Sequence, residues 1–201
     1  MHHSTLILAF RSIGIETVNV AKDLLKHVIN QETNSKEITE ELKQILDKKE
    51  WTNFEFAIQL SLKLKLKKET NANNGKKEKR HDKQYAVGTF SFLHLLIICK
   101  EIDILNYIIN NHEDLLPTET SKFIKVRSIK VDGSIESKSV VKQDQWIFGA
   151  NCIHLAAKFT PHALKLLLDK SRDQDLVNKE NDNGSTALHI SSSNSDSLCT
   201  R

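Results

Sequence analysis

The chain has 201 residues, a formal net charge of +3, 39% hydrophobic residues and 27% charged residues. This balance is typical of a soluble globular protein with one domain and an appendage. Because the chain has only 6 glycines and 2 prolines, we expect a mainly helical protein whose turns are built from Asn, Asp and Ser.

Three further features bear on location and redox state. Residues 6–10 form a short apolar run without a preceding basic residue or a following cleavage pattern, so we expect no secretory signal and a cytoplasmic protein. The apolar stretch 93–98 is far shorter than the roughly 20 residues of a membrane-spanning helix. Cys99, Cys152 and Cys199 are widely spaced, which indicates reduced, half-buried thiols rather than a disulfide framework or a zinc site.

Residues 1–66 are predicted to be a helical region. Apolar residues recur every three or four positions from Val18 to Ile29, which is typical of an amphipathic helix. A second helix is predicted after Asn34, because Glu37 lies three residues later in a capping-box spacing.

The last part of this region is open to two interpretations. Thr52 and Glu55 again have the spacing of a capping box, which predicts a third helix. The leucines at 60, 62, 64 and 66 alternate with polar residues as in a strand. We favour the helix.

Residues 67–88 are predicted to be a basic polar linker, since residues 67–83 contain no large apolar side chain. Residues 61–83 hold nine Lys or Arg and three acidic residues, a charge of +6, so the rest of the chain carries 3 − 6 = −3. Lys76, Lys77, Lys79 and Arg80 are either a nuclear import signal, which would add the nucleus as a location, or a solvated linker. Without interleaved aromatic residues, no specific nucleic-acid partner is expected.

Beyond the linker the sequence repeats itself. Residues 149–157, Gly-Ala-Asn-Cys-Ile-His-Leu-Ala-Ala, align with residues 184–192, Gly-Ser-Thr-Ala-Leu-His-Ile-Ser-Ser. Their histidines, His154 and His189, are 35 residues apart, with an apolar helix at 164–168 and a polar turn at 177–184 between them. A weaker copy around His94 is followed by an apolar segment at 104–109. The unit is a helix, a second helix and an exposed turn.

These copies resemble the ankyrin-repeat family, whose unit of about 33 residues carries a Gly-x-Thr-Pro-Leu-His-x-Ala-Ala signature and a Val-Asn-Ala turn. The resemblance covers residues 89–201. Its signature positions here are His94, Gly149, His154, Asn178, Gly184, Thr186 and His189. It implies an all-α ankyrin solenoid of about three repeats, whose histidines hydrogen-bond locally before each helix. Asn151, Cys152 and Ala187 depart from the signature.

Two further departures concern the insertion and the last unit. Residues 123–141 contain two alternating segments around Asp132-Gly133, which predicts an inserted β-hairpin finger. The last unit stops where its second helix should begin. We therefore expect a fragment or an isoform of a longer protein, with Leu188 and Ile190 uncapped.

No catalytic constellation is found in the sequence, so we expect neither an enzyme nor a cofactor. The regular histidines could be mistaken for metal ligands, but repeats stack roughly 10 Å apart whereas zinc ligands lie within about 2 Å of one ion. Cys152 opens a helix, where a thiol can become reactive. The alternative, a small buried residue in place of Pro, is favoured.

The expected function is protein–protein recognition by a monomer, through the turns and the inner helical surface of the solenoid. The candidate partner-binding residues are Lys125, Arg127, Lys130, Lys158, Lys179, Glu180, Asn181 and Asp182. The order of a basic cluster followed by ankyrin repeats resembles the arrangement in precursors of nuclear factor κB and related inhibitor proteins, which retain transcription factors in the cytoplasm. The alternative is a regulatory or substrate-recruiting piece of a larger enzyme, such as a ubiquitin ligase or kinase.

Overall fold

The structure, a computed structural model, describes residues 9–10, 38–61, 85–129, 135–136, 145–171 and 174–193. These residues are mainly helical and include an antiparallel sheet. The helices are α1 (Glu40–Asp47), α2 (Phe92–Cys99), α3 (Ile102–Asn111), α4 (Leu116–Ser121), α5 (Cys152–Phe159), α6 (Pro161–Lys170), α7 (Gln174–Val177) and α8 (Ala187–Ser192). The strands are β1 (Ala9–Phe10), β2 (Glu55–Ser61), β3 (Tyr85–Ser91), β4 (Lys125–Ile129) and β5 (Ile135–Glu136).

The sheet has the order β1-β2-β3-β4-β5, with every neighbouring pair antiparallel. Its centre is β3, which pairs with β2 from Glu55↔Ser91 to Ser61↔Tyr85. The strand β4 pairs with the other edge of β3 over all five of its residues. Strand β3 runs directly into α2, so the sheet is continuous with the helical part of the chain.

The helix predicted after Thr52 is wrong, because residues 55–61 form strand β2. Phe54 and Phe56 are buried while Glu55 between them is exposed, which is the two-residue period of a half-buried strand. Along its whole length this strand pairs with β3, more than twenty residues further along the chain, and at two residues it also pairs with β1. Such a distant partner overrides the local capping-box signal.

Two predicted boundaries also shift. Helix α1 is capped by Thr39, whose side chain accepts a hydrogen bond from Leu42 N at 3.3 Å, rather than by Asn34, which lies outside the described residues. Residues 85–88 of the predicted linker belong to β3. Because β2 and β3 pair along their whole length, the basic segment connects two strands of one sheet and does not separate two domains. The helix predicted at 18–29 also lies outside the described residues.

The predicted hairpin at 123–141 is confirmed in its pairing. Strands β4 and β5 are antiparallel, with Ser128↔Glu136 and Ile129↔Ile135 in register. The hairpin is not an isolated finger, however, because β4 also pairs with β3. The Asp132-Gly133 turn lies outside the described residues.

The longer helices are arranged in two layers, with α2, α5 and α8 in one and α3 and α6 in the other. Helix α2 pairs with α3 and α5 with α6, while α2 packs on α5, α5 on α8, and α3 on α6. The main core lies between these layers and also includes Leu42, Leu46 and Trp51 of the N-terminal segment. None of the helices among the described residues is long and apolar enough to cross a membrane.

The turn before α5 requires a glycine. Gly149 has φ +65°, and a Cβ at this position would meet the carboxylate of Asp182 and lie 2.9 Å from its backbone nitrogen. Asp182 N in turn donates to Phe148 O at 3.0 Å. This close approach joins the turn before α5 to the turn before α8.

Candidate protein-binding surface

Three helices begin with the same reciprocal cap. At α2, Ser91 N donates to His94 Nδ1 at 2.9 Å and His94 N donates to Ser91 Oγ at 3.5 Å. At α5, Asn151 N donates to His154 Nδ1 at 3.2 Å and His154 N donates to Asn151 Oδ1 at 3.0 Å. Each cap satisfies backbone donors that the first turn of a helix otherwise leaves unpaired.

The third copy of this cap lies at α8. Thr186 N donates to His189 Nδ1 at 3.2 Å, and Thr186 Oγ1 lies 2.9 Å from the same nitrogen. All three signature histidines therefore occupy the third position of a helix and hydrogen-bond locally, as the family resemblance implied. Their ring nitrogens Nδ1 are engaged in these caps.

The buried histidines are held in the neutral form. Burial lowers the pKa of His94 to about 3, although the backbone carbonyl of Lys122 opposes the change. Burial also lowers the pKa of His154, against hydrogen bonds to the carbonyls of Ser185 and Lys179. The Ser185 carbonyl oxygen lies 3.1 Å from His154 Nε2, so this ring connects α5 to the turn before α8.

Cys152 is fully buried rather than half-buried, and Cys99 is half-buried. Burial raises the pKa of the Cys152 thiol far above its usual range, and the nearby Glu119 carboxylate raises it further. A reactive thiol needs the opposite shift. The contacts therefore favour the packing role of Cys152, which lies in the core beside α4. Cys199 lies outside the described residues.

An aromatic and cationic patch lies at the end of α5. The rings of Trp146 and Phe159 meet edge to face with centroids 5.7 Å apart, and Lys158 Nζ lies 5.7 Å from the centroid of Trp146. Trp146 is half-buried and packs against the main core, while Phe159 is 36% exposed. Sequence reasoning selected Lys158 but missed both aromatic residues.

The turn before α8 is anchored to this patch by Asn181. Its Nδ2 donates to Trp146 O at 2.8 Å, and its Oδ1 accepts from the backbone nitrogens of Asn183 and Ser185. Asn181 is buried, so its predicted role as a partner contact is wrong. It fixes the turn instead.

The other predicted residues of this turn are accessible. Lys179, Glu180 and Asp182 are exposed on the turn that Asn181 joins to Trp146. We call the set Trp146, Lys158, Phe159, Lys179, Glu180 and Asp182 the turn surface. Asn178, a signature residue, is exposed beside it in sequence.

The remaining predicted contacts are not brought to the turn surface. Lys125 is exposed on β4 and lines a cavity of about 150 Å³ that also includes His94 and Lys122, but no turn-surface residue. Arg127 is paired with Val87 within the sheet. Lys130 and the import-like cluster Lys76, Lys77, Lys79 and Arg80 lie outside the described residues.

A second cavity, of about 420 Å³, lies between α4 and the end of α6. Its lining combines apolar Leu116, Pro117 and Leu167 with Thr120, Ser171 and the ion pair of Glu113 and Lys170. Among the described residues, this lining contains neither histidine nor cysteine. Within the described ranges, no three His, Cys, Asp or Glu residues are grouped as metal ligands would be.

Comparisons of the chain with protein-family models, with curated proteins and with solved structures give no match. The resemblance to ankyrin repeats therefore rests on the motif residues of this sequence. The helix starts at His94, His154 and His189 share one capping geometry.

Proposed function

We propose that the chain is a non-catalytic protein-binding module of the ankyrin-repeat type. The main support for this proposal is the reciprocal cap that is repeated at the starts of α2, α5 and α8. These three helices pack successively on one another. When equivalent helices are stacked, the turns that precede them lie in a row along one side of the stack. Such a row of turns is the surface with which repeat proteins bind their partners.

The turn surface has the composition of a protein interface. Tryptophan is among the residues that contribute most to binding, and aromatic residues are enriched at interfaces. The ammonium group of Lys158 over the Trp146 ring is a cation–π contact. Exposed Lys179, Glu180 and Asp182 supply a polar rim of mixed charge. A partner that covers Phe159 would meet an apolar centre and a charged edge.

The finer proposal is an inhibitor-like adaptor that retains a transcription factor in the cytoplasm. It is supported by the basic cluster of residues 76–80 preceding the repeats. A recruiting segment of a larger enzyme would use the same turn surface, and the identity of the captured partner distinguishes the two.

The test is affinity capture with substitutions on the turn surface. Immobilised wild-type chain is compared with Phe159→Ala/Lys179→Glu by mass spectrometry of the proteins retained from a cell extract. Loss of interface contacts of this kind weakens binding by roughly tenfold or more, so partners of the turn surface should be depleted from the variant. Lys48→Glu changes an exposed residue after α1 and should leave capture unchanged.

Circular dichroism and thermal unfolding first establish that each variant is folded. Equal capture by the wild type and the double variant would overturn the assignment of the turn surface. Retention of no protein at all by the wild type would overturn the binding function itself.

A further inference from the structure

One apolar position of α8 is exposed although its equivalents in α2 and α5 are buried, whereas Ile190, expected from the sequence to be uncapped like Leu188, is buried. Leu93, Ile153 and Leu188 each directly precede a capping histidine, and they are 0%, 1% and 67% exposed. Ile153 packs with Leu176 and with Ala187, the first residue of α8 in the following unit. Leu188 occupies the same position on α8, and no helix among the described residues covers it.

The layer formed by α3 and α6 shows the same change from a buried to an exposed apolar residue. Residues 104–109 of α3 and 163–168 of α6 share one apolar pattern, in which Ile109 corresponds to Leu168. Ile109 is fully buried, whereas Leu168 is 38% exposed. Leu164, one turn before Leu168, is half-buried and contacts both core clusters. We call Leu164, Leu168 and Leu188 the distal face.

The charges beside this face are self-complementary. Lys165 and Asp169 are exposed on α6, one helical turn apart, next to Leu164 and Leu168. If α6 packs antiparallel against a second α6 across a two-fold axis, Lys165 of each helix lies opposite Asp169 of the other. An isologous contact of this kind pairs the same patch on both subunits.

We propose that the distal face binds the distal face of a second copy of this chain. The contact covers the exposed leucines with the same residues of the second copy, in an apolar strip flanked by reciprocal Lys165–Asp169 pairs. This dimer replaces the monomer expected from the sequence. It leaves the turn surface, on a different set of residues, available to another partner.

The test uses the full chain and measures its mass by sedimentation velocity and light scattering over a wide concentration range. The wild type should show a concentration-dependent dimer. Leu168→Glu/Leu188→Glu places four carboxylates in the contact and should weaken association by roughly a hundredfold. Asn53→Glu, an exposed change in the N-terminal segment, is the matched control and should dimerise like the wild type.

A charge swap tests the two-fold arrangement without altering the apolar residues. Lys165→Asp alone should weaken the dimer, because like charges then face each other, and Lys165→Asp/Asp169→Lys should restore it. Both positions are exposed, so these variants are expected to fold. A wild type that stays monomeric, or a dimer that survives Leu168→Glu/Leu188→Glu, would overturn the proposal.

Discussion

The buried histidines make the stability of this protein dependent on pH. Burial lowers the pKa of His94 from 6.5 to about 3 and also lowers the pKa of His154. In the unfolded chain these rings regain an ordinary pKa, so the unfolded state takes up protons first as the pH falls. The stability present above about pH 6.5 is therefore lost progressively as the pH falls towards 3.

We predict that lowering the pH from 7.5 to 5 reduces the free energy of unfolding by about 2 kcal/mol through His94 alone. Urea unfolding at the two pH values measures the change. His94→Gln keeps an acceptor for the amide of Ser91 but removes the titrating ring, so its pH dependence should be shallower. His162→Gln, an exposed change on α6, should keep the wild-type slope. A slope unaffected by His94→Gln would contradict this account.

At the scale of the helices, the starts of α2, α5 and α8 could be predicted because a capping box joins residues only three positions apart. The sequence copies around His94, His154 and His189 therefore located them. Strand β2 could not be predicted with the same security, since its hydrogen-bond partner β3 begins at Tyr85. The capping-box spacing of Thr52 and Glu55 favoured a helix, but residues 55–61 form a strand because they pair with β3.

Only part of the candidate site could be predicted from the sequence, because the rest depends on contacts between distant residues. Turn residues Lys179, Glu180 and Asp182 are exposed because they belong to a polar turn, which the composition indicates. Trp146 and Phe159 are 13 residues apart and meet only after the turn before α5 folds against that helix. Asn181 was misassigned because its bond to Trp146 O is a contact between two units.

The three caps should contribute unequally to stability, in proportion to their burial. Asn151 is fully buried, whereas the Thr186–His189 contacts are exposed. Loss of a cap costs about 0.5–2 kcal/mol, so we predict a loss near 2 kcal/mol for Asn151→Ala and near 0.5 kcal/mol for Thr186→Ala. Asn151→Ser, which copies the cap at Ser91, should recover most of the loss. Chemical denaturation gives these differences, and equal losses at the two alanine variants would refute the ranking.

At the scale of the whole molecule, the N-terminal segment is fastened to the first helix pair. Trp51 is buried against Phe92, with ring centroids 6.1 Å apart, and donates from Nε1 to Leu46 O at 2.8 Å. Around it, Tyr107 donates to Asp47 Oδ1 at 3.0 Å and Lys49 pairs with Asp114 at 3.0 Å. Residues 38–61 thus cover one end of the helical stack rather than forming a separate region.

Lys122 makes a half-buried polar connection between residues 38–61 and helix α4. Its Nζ donates to Thr52 O at 2.6 Å and lies 2.7 Å from Glu119 Oε1. Glu119 is buried, and burial raises the pKa of its carboxyl although Lys122 opposes the change. Removing Lys122 would therefore leave a buried carboxylate without its counter-ion and the Thr52 carbonyl without its donor.

We predict that Lys122→Met lowers the free energy of unfolding by about 1–2 kcal/mol, less than the cost of breaking a fully buried ion pair because the Lys122 side chain is 39% exposed. Glu119→Gln/Lys122→Met should recover part of this loss, because a neutral amide is cheaper to bury than an unpaired charge. Lys49→Met breaks only an exposed pair and should change stability little. Hydrogen exchange should accelerate in residues 40–54 of Lys122→Met more than in α5, since the Thr52 contact holds that segment. Equal effects of Lys122→Met and Lys49→Met on both measurements would show that the N-terminal segment is held by its apolar contacts alone.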